Sequence, residues 1–109
     1  MIVVRIVMNV IPEKQKEVMQ TLLSLVVSPD NESGYRNYGI FCDIEDKNIF
    51  NLISEWETRR DLNRHMRSDR FSVLFGTKSL LCEPLRIQIV TVANAEGIEA
   101  VNVARKRIR

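Results

Sequence analysis

The chain has 109 residues, 45% of them hydrophobic, and its 16 Lys and Arg against 14 Asp and Glu give a formal net charge of +2. That length suits one domain with a modest core rather than two. Mixed charge in short runs supplies no broad basic face for nucleic acid, and no apolar run approaches the roughly 20 residues that a membrane span needs.

Ile2 to Val10 opens the chain as a strand. Ile2, Val4, Ile6 and Val10 share one parity and Val3 and Val7 the other, so both of its faces call for cover. No basic leader with an apolar signal core precedes it, which predicts a cytoplasmic protein with two reduced thiols. Cys42 and Cys82 are then expected to be small buried hydrophobes. One His and two Cys, in no CxxC or Cys/His spacing, offer no metal or haem ligand set.

Pro12 suits a first helical turn, and Val18, Met19, Leu22, Leu23 and Val26 recur at helical spacing until Ser28-Pro29 stops the run. After a polar loop over Asp30 to Gly34, Tyr35 to Ile44 reads as a second strand. Glu45-Asp46-Lys47-Asn48 is a turn, and Ile49 to Trp56 is a third strand, so the two form a hairpin. Thr58 offers a hydroxyl to cap a second helix running to Arg67. Leu62, His65 and Met66 fall at i, i+3 and i+4, on the helical face beside the strand just left. Asp69 begins a continuation that carries Phe71, Leu74, Phe75, Leu80 and Leu81, bent or interrupted at Gly76. Pro84 ends it, and Leu85 to Ala93 alternates as a fourth strand. Asn94 to Arg109 has Ile98 and Val101 at helical spacing and ends in the basic Arg105-Lys106-Arg107-Ile108-Arg109, a frayed terminus by default.

The order β-α-β-β-α-β predicts an α+β, ferredoxin-like fold, a four-stranded antiparallel sheet with helices on one face. Strands one and four are apolar on both parities, yet the helices of one chain cover one side. A bare apolar sheet face is unusual for a monomer, so self-association through the sheet face into a homodimer is expected.

The joint between the third strand and the second helix carries a resemblance. Phe50 to Trp56 has the form F-x-x-x-x-E-W, and Leu62, His65, Ser68 and Phe71 follow as L-x-x-H-x-x-S-x-x-F. This is similar to the signature of the antibiotic biosynthesis monooxygenase family and extends from strand one to strand four. The resemblance implies a dimeric α+β barrel, with residues 1–94 as the domain and 95–109 as a C-terminal helix or arm. It also implies a small pocket between sheet and helices in each subunit. Some relatives oxidise phenols or quinols with O₂ and no metal or flavin, others degrade haem or isomerise small metabolites, and many have no assigned activity. Haem degradation is disfavoured, because the helix position that carries a Trp in those relatives holds His65 here and no second His exists. Relatives that oxidise aromatic polyketides use an Asn and a Trp on the third strand, but Asn51 and Trp56 are five residues apart and face opposite sides of a regular strand.

The expected function is a cofactor-independent monooxygenase on a small quinol-like or phenolic molecule, with His65 as proton handler and no metal. The alternatives are a non-catalytic small-molecule-binding or stress-associated barrel, and a small-metabolite isomerase. Trp56, Asn9, Tyr38, Phe71 and Arg5 are the candidate substrate contacts. Each also has a plainer reading. His65 can be a structural residue bonded to a backbone carbonyl or Glu55, Trp56 can be core, Asn9 can cap a turn, and Arg5 can pair with Glu55 or Asp43. Tyr38 and Phe41 line either pocket or dimer seam. The Arg59-Arg60, Arg64, Arg67 and Arg70 series reads as solvated ion pairs with Asp61 and Asp69.

Overall fold

A computed structural model describes residues 1–26 and 34–106. The helix stop at Ser28-Pro29, most of the 30–34 loop and the last three residues, Arg107 to Arg109, lie outside the described residues.

Strand β1 (Ile2–Asn9) leads through a 3-10 turn at Pro12–Lys14 into helix α1 (Gln15–Val26). The hairpin β2 (Tyr35–Cys42) and β3 (Ile49–Trp56) follows, then α2 (Arg59–Met66), α3 (Asp69–Gly76), a 3-10 turn at Thr77–Leu80, β4 (Arg86–Thr91) and α4 (Ile98–Lys106). The sheet order is β2-β3-β1-β4, every pair antiparallel. This is the expected α+β ferredoxin-like fold, with α4 appended.

Parity builds the core. Ile2, Val4, Ile6 and Met8 of β1, Val10 just after it, and Phe50, Leu52 and Trp56 of β3 all point to the helix side and are buried. Val18, Leu22 and Leu25 of α1, Leu62 of α2 and Leu74 of α3 close over them. The register Val4↔Ser54 and Val4↔Ile89 carries this sorting across three strands, and it leaves Arg5, Asn51, Ile53, Glu55 and Gln88 on the other face.

Three expectations are refined. The second helix ends at Met66, one residue short of Arg67, and the continuation expected from Asp69 is a separate α3, which Ser68 caps by accepting from the Phe71 N–H at 3.2 Å. Residues that cap well break helices from inside, because the hydroxyl competes for the backbone. Outward-facing β4 is Arg86, Gln88 and Val90, so the open face is mixed rather than uniformly apolar. Both cysteines are exposed; Cys42 lies on edge strand β2 and Cys82 in the loop before β4.

Leu22→Ala should cost about 2–5 kcal/mol in chemical denaturation, because the side chain is wholly buried. Its neighbour Leu23, 51% exposed, should change stability by less than about 0.5 kcal/mol when truncated to Ala.

Candidate functional site

The site is assembled where β3 hands over to α2. Thr58 caps α2: its hydroxyl oxygen accepts from the Asp61 N–H at 3.1 Å and its proton goes to the Asp61 carboxylate at 2.8 Å. With the helix start pinned two residues after Trp56, His65 falls two turns on, above the inward face of β3. The imidazole stacks on the Trp56 indole with centroids 4.5 Å apart and planes 29° apart. His65 is 6% exposed and Trp56 is not exposed at all. The indole N–H donates to the Ser54 hydroxyl at 3.0 Å, so the large ring is held from below.

An irregularity in β2 supplies the second wall. Regular alternation would turn Tyr35 and Tyr38 to opposite faces, but the register shifts between Tyr35 and Asn37, so Tyr35 lies opposite Trp56 and Tyr38 opposite Ser54. Both rings therefore reach the helix side. Tyr35 meets the Trp56 edge at 6.1 Å, and Tyr38 meets His65 edge-on at 6.0 Å. Gly34 makes this start of β2 possible: its φ of 78° suits glycine, and a Cβ there would collide with the Asp61 side chain. Its carbonyl accepts the Glu57 N–H at 2.7 Å, tying β2 to the end of β3.

Helix α3 supplies the third wall. Ser68 donates its hydroxyl proton to the His65 carbonyl at 2.6 Å and starts the helix that presents Phe71 edge-on to the imidazole at 5.5 Å. Phe71 also lines an open groove of about 480 Å³ with Met66, Ser72, Phe75, Gly76 and Lys78. Phe71 thus joins the buried imidazole to this outer groove. The Lys78 ammonium lies 4.8 Å from the Phe75 ring centre, so the groove has apolar walls and one cation.

Of the residues singled out in the sequence, the structure brings His65, Trp56, Tyr38 and Phe71 together. Arg5 and Asn9 stand apart, on the opposite face of the sheet. Arg5 donates to the Asn51 side chain at 3.0 Å instead of pairing with Glu55 or Asp43, and Asn9 donates to Glu83 at 3.3 Å. Glu55, opposite Val3, shares that face and so lies across the sheet from His65. Phe41 is on the open face, 54% exposed. The arginine series yields one ion pair among the described residues, Arg64–Asp61 at 3.4 Å. Tyr35 and Ser54 were not among the candidates. Ser54 could have been found by strand parity, being two residues before Trp56, whereas Tyr35 depends on a register shift that periodicity does not reveal. No group of three His, Cys, Asp or Glu among the described residues could hold a metal ion.

Comparison with known proteins decides the family. The model of the antibiotic biosynthesis monooxygenase family matches residues 1–75. The chain belongs to that family. It is 28% identical over 88 residues to a Bacillus subtilis (strain 168) protein named "Putative monooxygenase YcnE", covering 80% of this chain and 93% of that one. A conserved protein from Methanosarcina mazei Go1 is 31% identical, with a TM-score of 0.76 over 82% of this chain and 89% of its own. A Deinococcus radiodurans structure named a "putative antibiotic biosynthesis monooxygenase" has a TM-score of 0.81 at 17% identity, over 90% of this chain and 98% of its own, and bears on the fold alone. No helix among the described residues is long and apolar enough to cross a membrane.

Two measurements examine the imidazole–indole stack. Ser54→Ala leaves the indole N–H buried without its acceptor and should destabilise the fold by about 1–3 kcal/mol in denaturant titration. Since the chain has one Trp and one His, in contact, Trp56 emission should change in His65→Gln while the circular dichroism of the fold does not.

Proposed function

We propose that the chain is a cofactor-independent monooxygenase acting on a small phenolic or quinol-like molecule. The observation that carries the reading is the buried His65 imidazole, backed by Trp56 and walled by Tyr38 and Phe71. Aromatic rings of this kind can stack on a planar substrate, and exclusion of water strengthens every polar interaction around them.

In this reaction the substrate is its own reductant. His65 accepts the phenol proton at a ring nitrogen, and the electron-rich phenolate delivers electrons to O₂. One oxygen atom bonds to the ring carbon para to the hydroxyl, which loses its hydrogen. The other leaves as water, taking the proton back from His65, and a quinone remains. Trp56 holds the imidazole plane by stacking. Phe71 separates the imidazole from the outer groove, so substrate entry by that route requires its ring to move. Arg5 and Asn9 lie across the sheet and take no part in this site.

The protein works as a homodimer joined through the open sheet face. Val3, Val7 and Ile53 are partly exposed there, with Phe41 at 54% and Val90 at 42%. Two exposed, unpaired thiols fit the reducing cytoplasm. The near-complete burial of His65 favours one competing reading, a binding barrel in which the imidazole only packs.

Oxygen uptake with 1-naphthol, whose para carbon carries a hydrogen, separates the two. The wild-type protein should consume O₂ in proportion to quinone formed, and His65→Gln, folded by circular dichroism, should slow turnover by about 10²-fold or more. Unchanged turnover removes His65 from the chemistry. Ligand-dependent stabilisation with no product assigns the barrel to binding.

A further inference from the structure

Helix α4 is an apolar-faced helix that its own fold does not use. Ala100, Val101 and Ala104 share one side with Val103 at its margin, Ile98 lies beyond Arg105 at the other edge, and Glu99, Asn102 and Lys106 lie opposite. Ile98 is 69% exposed, Val101 49% and Val103 59%, and α4 packs substantially against none of the other elements among the described residues. The radius of gyration is 16.5 Å, against about 13 Å for a compact chain of this length. A nine-residue helix without tertiary support is marginal in water, where about 12–15 residues are needed even for good helix formers. The arm therefore calls for a surface.

A matching surface exists at the other end of the sheet. Phe75, Leu81, Cys82, Pro84 and Leu85 line an open groove of about 470 Å³ flanked by Lys78 and Glu83. It adjoins β4, an edge strand whose helix-side Ile87 is 41% exposed. The charges are complementary: Glu99 near the start of α4 answers Lys78, and Arg105 and Lys106 at its end answer Glu83.

We infer that α4 of one copy docks into the Phe75–Leu85 groove of a second copy, so that the two chains exchange arms. This rests on the homodimer proposed above. In a sheet-on-sheet pair whose two-fold axis runs across the strands, the end of β4 in one copy lies over the beginning of β4 in the other. The arm leaves its own sheet after Val92, whose N–H is bonded to the Met1 carbonyl. The linker 92–97 can span about 20 Å when extended, enough to cross the roughly 10 Å between packed sheets and round the edge. In its own chain the arm would have to double back along β4 to reach the same groove. The exchange supplies apolar contact that the open face, interrupted by Arg5, Asn51, Glu55, Arg86 and Gln88, lacks.

The test uses the full chain. Val101 makes no core contact, so Val101→Asp should leave circular dichroism of the domain unchanged while raising the dimer dissociation constant, measured by sedimentation, by at least tenfold. In a Cys42→Ser, Ala104→Cys variant, a short bismaleimide should join Cys82 to position 104 between chains, giving a covalent dimer on denaturing gels. A wild-type dissociation constant for Val101→Asp overturns the arm exchange and leaves the sheet dimer standing. A wild-type protein that is monomeric at micromolar concentration overturns the dimer itself. A cross-link within one chain, or none, also overturns the exchange; the arm then serves its own groove, a lipid surface or a different protein.

Discussion

The period of two along β1 and β3 is the constraint from which the rest of the molecule follows. One parity carries Val4, Ile6, Met8, Leu52 and Trp56 beneath the helices, and the other carries Arg5, Asn51, Ile53 and Glu55 onto the open face. A slip of β3 by one residue against β1 would bring Asn51 and Glu55 under the helices in place of Leu52 and Trp56, at a desolvation cost. The same sorting decides that Trp56 can meet His65 and that Arg5 cannot.

On the covered side, short local devices accumulate into a site. The Thr58 cap fixes where α2 begins, and the beginning of α2 fixes the height of His65 above the sheet. Ser68 closes α2 and opens α3 within one hydrogen-bonded turn, so Phe71 arrives against the imidazole by the same device that breaks the helix. The aromatic contacts of His65 thus come from β3, β2 and α3, three elements that touch only because the sheet holds them in register. Burial among these rings keeps the imidazole out of bulk water.

On the open side the chemistry is different. Half-buried Val3, Val7 and Ile53 lie among the guanidinium groups of Arg5 and Arg86, the amides of Asn51 and Gln88 and the Glu55 carboxylate, so the surface is selective rather than merely sticky. Helix α4, amphipathic and unsupported by its own domain, extends the same theme: this chain keeps part of its apolar area outside the single-copy core.

Strand parity, helical spacing and the Thr58 cap were legible in the sequence, and they suffice for the element order, the sheet, the inward direction of Trp56 and the helical face of His65. The separation of Asn51 from Trp56 followed from the same counting. Other features were legible only in three dimensions. The register shift that turns both Tyr35 and Tyr38 toward the helices, the bond from Trp56 to Ser54 and the pairing of Arg5 with Asn51 depend on which residues face each other across strands, and local periodicity carries no information about partners. Exposure of Cys42 and Cys82 likewise depended on an edge strand and a loop rather than on residue type. The sequence by itself determined which residues share a face, because that is set by the backbone repeat; tertiary structure alone decided which faces meet, because contacts between distant segments depend on register and packing.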